Sequence, residues 1–207
     1  MELSFWSPVL GRPYRECDQW RANMLARIRA EHPSVVVLGA ARHYGDVYRF
    51  KVYGQPWLSG LARMVRQVRT TGARVVVLGP TPKPRVDVPD CLAEHLRNAI
   101  ACTTPRQVAL DTSGVRAERQ AVLRAGGSYL DVTPWLCTRS TCAVEVGNLL
   151  AYRDDNHLTT TYTTWLSPPL GFQLDQTLRV SRRRPSGQPK KRRRGPEPDV
   201  VLGGCDL

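Results

Sequence analysis

Two segments decide the fold of this chain: SVVVLGAARHYG (34–45) and ARVVVLGPTPKP (73–84). Each contains four consecutive apolar residues, mostly β-branched, and each apolar run ends at a glycine. Runs of this kind are typical of strands that are buried on both faces, as in a parallel sheet. SYLDV (128–132) is predicted to form a third strand, and a shorter strand is predicted near 148–152.

The segments between these strands have apolar residues at helical spacing. Apolar residues at spacings of three and four predict amphipathic helices there. The predicted helices cover 15–30, 57–71, 90–101, 115–125 and 159–165. This alternation predicts an α/β fold, a three-layer parallel sheet with helices on both faces. Sites in such sheets collect at the carboxyl ends of the strands, which here are 39–44, 79–84 and 153–157.

The composition suits one ordinary domain with a tail. The chain has 207 residues, and 42% of them are hydrophobic, which is enough for a core. It has no apolar run of about 18 residues, so no transmembrane segment is predicted. The first twenty residues lack the basic start, apolar middle and cleavage site of a signal peptide, which predicts a cytoplasmic chain as written.

The positive charge is concentrated near the C-terminus. The net charge is +12, and residues 179–207 carry nine Lys and Arg against three acids. Because this region is rich in Pro, Gly and Arg without apolar periodicity, 179–207 are predicted to form a disordered basic tail. The run KKRRR (190–194) resembles a nuclear-localisation or nucleic-acid patch, and a solvated charge run is the alternative. A non-enzymatic protein that binds nucleic acid or anionic surfaces through this tail is therefore the alternative function.

Six cysteines occur in the chain: Cys17, Cys91, Cys102, Cys137, Cys142 and Cys205. They form no CxxC pair and have no histidine at zinc-finger spacing, so neither a metal site nor another cofactor is predicted. Cys91 with Cys102, and Cys137 with Cys142, are candidates for disulfide loops worth roughly 3 and 2 kcal/mol. Buried free thiols are the alternative. Disulfides imply an oxidising compartment, in conflict with the missing signal peptide.

The sharpest local signal for chemistry is YRDDNHLT (152–159), which places two carboxylates shortly before a histidine. A histidine that acts as general base needs a fixed tautomer, and a carboxylate on its other ring nitrogen supplies it. The same residues are also ordinary turn formers, and Asp155 or Asn156 can instead cap the following helix. Spacing alone therefore leaves a catalytic and a structural interpretation open.

The run AYRDDNHLTTTYTTWLSPPL (151–170) resembles the last conserved block of SGNH hydrolases, in which a D-x-x-H motif supplies the triad Asp and His. It is most similar to the version found as an extracytoplasmic domain fused to polytopic membrane O-acyltransferases (acyltransferase family three) that decorate bacterial cell-envelope glycans. VVVLGAARHY (35–44), VVVLGPTP (75–82) and DVTPWLCTRSTC (131–142) agree with that subtype. The resemblance covers about residues 8–170, most of the chain.

The resemblance implies roles for particular residues and a flavodoxin-like SGNH fold. Asp154 is implied as the triad acid and His157 as the base, while Asp155 is one residue too close for the motif. The residues that match the oxyanion and substrate-binding region are Gly39, Arg42 and Gly60, and for Arg42 a salt-bridged surface residue is the alternative. The implied activity is that of a serine esterase or O-acyltransferase on acylated glycans or glycolipids of the cell envelope. A membrane acyltransferase domain is the implied partner, on the extracytoplasmic face of the membrane.

One departure from the family pattern affects the expected activity. Family members open with a strand followed by Gly-Asp-Ser, whose Ser is the nucleophile, and this tripeptide occurs nowhere in the 207 residues. We therefore expect an irregular segment at 1–14, an SGNH-like domain at 15–178 that lacks its first strand and nucleophile, and the tail at 179–207. Because loss of a triad nucleophile costs about 10⁶-fold in turnover, a truncated and catalytically impaired remnant is expected.

Overall fold

The computed structural model describes residues 6–42, 51–182 and 200–202. The chain divides into two compact units. The first comprises Met1–Leu78, Arg116–Leu130 and Thr177–Leu207, and the second comprises Gly79–Val115 and Asp131–Gln176. The single domain predicted at 15–178 is thus shared between two units.

The described helices and strands follow one another along the chain. In order they are β1 (Trp6–Ser7), β2 (Arg12–Pro13), α1 (Arg15–Glu31), β3 (Val35–Leu38), α2 (Gln55–Arg69), β4 (Arg74–Leu78), α3 (Val88–Glu94), a 3₁₀ turn (Ala99–Cys102), β5 (Thr104–Pro105), α4 (Arg106–Ala109), α5 (Thr112–Arg124), β6 (Ser128–Leu130), a second 3₁₀ turn (Thr133–Trp135), β7 (Thr141–Cys142), β8 (Glu145–Val146), β9 (Leu149–Leu150), α6 (Thr160–Arg182) and β10 (Val200–Leu202). None of these helices combines the length and the apolar character that a membrane crossing requires.

Four parallel strands form the sheet of the first unit, in the order β10–β3–β4–β6. In register, Val36 lies opposite Val75 of β4 and Val200 of β10. All four residues of β3 and the central three of β4 are buried. This burial is what a run of β-branched residues inside a parallel sheet requires. The two strand predictions and the α/β fold class with a parallel sheet are confirmed.

The helix α2 shows how the first unit positions a buried face. It begins after Gly54 and has Pro56 in its first turn, where the missing N–H group costs no helical hydrogen bond. Residues at spacings of three and four then form one buried stripe, which contains Trp57, Leu61, Met64, Val65 and Val68. The spacing of apolar residues that predicts this helix is therefore also the spacing of its buried residues.

The C-terminal region differs from the predicted disordered tail. The helix α6 continues to Arg182, and Val200–Leu202 form β10, which pairs in parallel with β3. Three apolar residues between Asp199 and Gly203 carry too little periodic signal to predict a strand. The basic run at 190–194 and Cys205 lie outside the described residues.

The second unit has strands of only two residues, paired antiparallel as β5–β7 and β8–β9. Its apolar core contains Val88, Cys102, Leu136, Val144, Ala151, Tyr152, Tyr162 and Leu166. Strands this short supply few ladder hydrogen bonds, so side chains supply others. The Tyr152 hydroxyl donates to the Pro82 carbonyl at 2.6 Å, and the Tyr162 hydroxyl donates to the Trp135 carbonyl at 2.5 Å.

The helix predicted at 90–101 is shorter than expected. It ends at Glu94, and the 3₁₀ turn follows separately at Ala99–Cys102. The N-cap is Asp87, three residues before the predicted start at 90, since the Asp87 carboxylate accepts the Asp90 backbone N–H at 3.3 Å. The cap therefore lies three residues earlier, and the helix starts earlier with it.

Both predicted disulfides are present. They join Cys91 to Cys102 with a Cα–Cα distance of 5.9 Å, and Cys137 to Cys142 with a Cα–Cα distance of 3.9 Å. Cys17 in α1 is also disulfide-bonded. These five cysteines are therefore not the buried free thiols of the alternative interpretation.

Candidate active site

The segment from Tyr152 to Leu158 forms a closed turn in the second unit. Tyr152 and Leu158 are paired across the turn by an antiparallel bridge. Inside that bridge, the Arg153 N–H donates to the His157 carbonyl at 2.9 Å. The polar residues between them therefore lie in a turn whose two ends are held together by backbone pairing.

Asp154 organises this turn through both carboxylate oxygens. Its Oδ1 accepts the backbone N–H of His157 at 2.7 Å and of Asn156 at 2.9 Å, and its Oδ2 lies 2.8 Å from Nδ1 of His157. The backbone N–H groups of His157 and Asn156, together with the imidazole, hold the pKa of Asp154 well below its usual range. Asp154 is therefore ionised at neutral pH.

The ionised carboxylate determines where the imidazole carries its proton. A carboxylate only accepts hydrogen bonds, so in the neutral ring Nδ1 carries the hydrogen and donates it to Asp154. The lone pair of the ring is then on Nε2. Because 59% of the His157 side chain is exposed, the ring is accessible to a reacting group. This is the arrangement that a general base needs.

The contacts within this turn distinguish a helix cap from a partner of the imidazole. The residue that caps α6 is Thr159, whose hydroxyl accepts a backbone N–H from the first helical turn at 3.1 Å. Asn156 instead donates through Nδ2 to Asp155 Oδ1 at 2.8 Å, and Lys83 Nζ lies 3.6 Å from Asp155 Oδ2. Asp155 thus contacts its neighbour and a lysine, whereas Asp154 contacts the imidazole.

The other predicted site residues belong to the first unit. Gly39 is half-buried and directly follows the carboxyl end of β3. Gly60 is buried in the interior of α2, where each N–H is hydrogen-bonded to the preceding turn and is not available to an oxyanion. The structure brings Asp154 and His157 together within one turn, and it places Gly39 and Arg42 on one strand-end segment.

Arg42 is part of a buried polar group that we call the Glu118 cluster, which consists of Arg42, Trp57, Glu118 and Tyr129. The Glu118 carboxylate is fully buried and accepts from Arg42 Nη2 at 2.6 Å, from Trp57 Nε1 at 2.8 Å and from the Tyr129 hydroxyl at 3.0 Å. Burial by itself lowers the pKa of Arg42, but the carboxylate of Glu118 outweighs burial and raises that pKa. Burial, followed by the proximity of Glu118, raises the pKa of Tyr129.

The guanidinium of Arg42 also fixes two strand ends. It donates through Nη2 to the carbonyl of Leu78, the last residue of β4, at 2.8 Å, and through Nη1 to the carbonyl of Ala40, just after β3. Its side chain is only 11% exposed. The geometry therefore gives Arg42 a structural role at the carboxyl end of the sheet, which agrees with the salt-bridged alternative for this residue, except that the arginine is buried and not on the surface.

Sequence reasoning did not identify Glu118. Its partners Trp57 and Arg42 are 61 and 76 positions away in the chain. A glutamate inside an amphipathic helix carries no local signal that distinguishes a buried ion pair from a solvated one. Only the parallel pairing of β3, β4 and β6 brings these residues together.

Comparisons with known proteins agree with this architecture. Residues 3–171 match a family model described as the SGNH domain that is fused to AT3 domains. Among solved structures, the chain is similar to the periplasmic domain of a lipopolysaccharide acetyltransferase from Salmonella ser. Paratyphi A, with a TM-score of 0.54 and 18% sequence identity. The match covers 74% of this chain and 61% of that one, and at this identity it shows the fold alone. No curated protein matches the chain.

Proposed function

The chain belongs to the SGNH domains that are fused to AT3 domains, and we propose that it carries the acid–base pair of an acyl-transfer centre. In this proposal Asp154 orients the ring and His157 is the general base. The supporting observation is the 2.8 Å contact between His157 Nδ1 and Asp154 Oδ2, in a turn that leaves more than half of the imidazole exposed.

The pair acts on a hydroxyl group that attacks an acyl ester. Nε2 of His157 removes the hydroxyl proton as the oxygen attacks the carbonyl carbon, and Asp154 stabilises the imidazolium that forms. When the tetrahedral intermediate collapses, the imidazolium returns the proton to the leaving oxygen and the ester bond breaks. The attacking oxygen keeps the acyl group, so an alcohol acceptor gives a new ester and water gives a carboxylic acid.

The missing Gly-Asp-Ser limits what this chain does by itself. The tripeptide does not occur in the 207 residues, so the base has no serine of that motif to activate within this sequence. Removal of the nucleophile from a well-studied serine protease costs about 10⁶-fold in turnover. We therefore propose that the isolated chain is catalytically impaired and hydrolyses esters slowly, with water as the attacking group.

The substrate class in this proposal rests on the family and on the structural neighbour. Family members are fused to AT3 domains, and the neighbour is a lipopolysaccharide acetyltransferase. We propose that this chain acts with a membrane acyltransferase domain on acylated glycans or glycolipids, on the extracytoplasmic face. Within the first unit, Arg42 acts as a positioning residue that keeps the ends of β3 and β4 in place.

Hydrolysis of p-nitrophenyl acetate by the purified chain tests the acid–base pair. We expect slow turnover above the buffer rate, and we expect His157→Ala to fall to the buffer rate, because general-base catalysis contributes about 10²–10⁴-fold. The matched control is His32→Asn. It removes another exposed imidazole, and asparagine tolerates the positive φ of 50° at that position.

Two results would contradict different parts of the proposal. Equal turnover by the parent chain and His157→Ala would remove the acid–base role. Rapid turnover by the parent chain, with a covalent acyl-enzyme detected by mass spectrometry, would refute the impaired activity. In that second case, loss of turnover in His157→Ala would still support the role of the imidazole.

A further inference from the structure

A second group of reactive side chains lies at the end of α3, outside the turn that carries His157. We call it the Cys–His cluster, and it consists of Cys91, His95 and Cys102. Its two sulfurs and one ring nitrogen all lie within 4.8 Å of one another. Since Cys91 and Cys102 are joined by a disulfide, we propose that reduction converts the cluster into a binding site for a thiophilic divalent cation such as Zn²⁺.

Helix geometry explains why the three side chains converge. His95 is the C-cap residue of α3, four positions after Cys91, and its Nδ1 lies 3.9 Å from the Cys91 sulfur. Cys102 ends the 3₁₀ turn that brings the chain back to the helix, and it is buried. Cys91 and Cys102 both pack in the apolar core that contains Val88, which keeps the two sulfurs near each other after the covalent bond opens.

The spacing suits a tetrahedral zinc ion. Zinc binds cysteine sulfur at about 2.3 Å and histidine nitrogen at about 2.0 Å, which places sulfur and nitrogen ligands about 3.5 Å apart and two sulfurs about 3.7 Å apart. The distance from His95 Nδ1 to Cys91 Sγ is 3.9 Å, so a small side-chain rotation suffices for that pair. The same Nδ1 lies 2.9 Å from the Cys91 carbonyl oxygen, and metal binding replaces this contact. His95 is exposed, which leaves the fourth coordination position to water.

The charge around the cluster also favours a cation. Asp87, Asp90 and Glu94 lie at or in α3, and Arg97 is the single basic residue between positions 87 and 102. This local excess of negative charge attracts divalent cations. Zinc is preferred over magnesium or calcium because thiolate and imidazole are soft or borderline ligands, whereas those ions select oxygen.

A dithiol reductant balances the redox step. The dithiol supplies two electrons and two protons. The bond between the Cys91 and Cys102 sulfurs breaks and each sulfur becomes a thiol, while the two sulfurs of the reductant form a disulfide. Zn²⁺ then displaces the two thiol protons, because the thiolate is the form that binds metal. The ion closes the same loop that the disulfide closed, so the loop from 91 to 102 remains stapled in both states.

Zinc titration of the oxidised and reduced chain tests this inference. The chain is reduced with dithiothreitol, freed of reductant by anaerobic gel filtration, and titrated with Zn²⁺ against a chromophoric chelator. We expect one tightly bound Zn²⁺ per reduced chain and none per oxidised chain. We also expect zinc to raise the midpoint of thermal unfolding of the reduced chain, because an ion that binds the folded state stabilises it.

Variants identify the ligands. His95→Ala should weaken zinc binding to the reduced chain by at least about 100-fold, since even loss of an outer-shell partner costs 10–100-fold. The matched control replaces both Cys137 and Cys142 with serine, and it should bind zinc like the parent chain. Equal zinc affinity in the parent chain and His95→Ala would overturn the inference, as would zinc binding by the oxidised chain. Because His95 is exposed, folding of its variant is not at risk, so the test remains decisive even if Cys91→Ser fails to fold.

Discussion

Two pairs of a carboxylate with a basic side chain differ in burial and in sequence separation. Glu118 is fully buried against Arg42, which is 11% exposed, and the two lie 76 positions apart. Asp154 and His157 are 33% and 59% exposed, and they lie three positions apart. A pair shielded from water contributes its hydrogen bonds to stability, whereas an exposed pair keeps a reactive atom accessible. The comparison therefore predicts opposite consequences for substitutions at the two places.

The largest effect on stability is expected for Glu118→Ala. This change leaves the guanidinium of Arg42 buried without its counter-ion, and breaking a buried pair in this way costs about 3–5 kcal/mol of unfolding free energy. Urea denaturation measures the loss. The matched control is Glu16→Ala, whose pair with Arg12 is exposed to water, so its loss should change stability little. A loss for Glu118→Ala no larger than that of the control would break the comparison.

A smaller loss is expected for Tyr129→Phe, which deletes one donor of the Glu118 cluster. Hydrogen bonds to charged groups contribute about 1.5–3 kcal/mol, so urea denaturation should show a loss in that range. Tyr152→Phe is the counterpart in the second unit, because its hydroxyl donates to the neutral carbonyl of Pro82. Its expected loss is about 0.5–1.5 kcal/mol. The reverse order of the two losses would argue that Glu118 is not the acceptor of the Tyr129 hydroxyl.

For His157→Ala we expect little change in stability, within about 0.5 kcal/mol, because exposed substitutions rarely cost more. The same variant is expected to lose the slow ester hydrolysis. Urea denaturation and the ester assay on one preparation separate the two quantities. If stability fell by several kcal/mol, the exposed pair would belong with the Glu118 cluster as a structural element.

The smallest effect is expected at acidic pH and is confined to the turn at 153–157. The pKa of Asp154 is lowered in the folded chain, so its contribution is present above the unfolded pKa and is lost as pH falls through the folded pKa. The ordinary pKa of aspartate is about 3.9. We expect the amide resonances of Asn156 and His157 to keep their native positions even when the pH falls below that value. An NMR pH titration measures this, with Asp154→Asn as the control. A midpoint close to the ordinary value would show that the two amide hydrogen bonds are weak in solution.

Local patterns predicted the features that depend on neighbours in sequence. The runs Val35–Leu38 and Val75–Leu78 predicted central strands because a buried parallel strand needs apolar residues on both faces. The resemblance to a D-x-x-H motif implied Asp154 and His157 as partners, and the short turn that joins them brings the two side chains into contact. The catalytic role of this pair remains a prediction that the proposed assay tests.

Features that depend on distant residues could not be predicted. Glu118 is one charged residue on an amphipathic helix until the sheet brings Arg42 to it. His95 stands at neither a CxxC nor a zinc-finger spacing from the cysteines, and its convergence with Cys102 depends on an intervening 3₁₀ turn. The strand β10 could not be predicted because its three residues form a strand only through their pairing with β3.

The pairing of β10 with β3 has a consequence for how the protein is made. Val200 pairs with Val36, so roughly 160 residues must be translated between the two partners, which takes on the order of 10–30 s at ribosomal rates of about 5–20 residues per second. During that interval the outer side of β3 has no partner from its own nascent chain, and unpaired strand edges attract other chains. The yield of soluble protein therefore depends on shielding this edge while the ribosome completes the sequence.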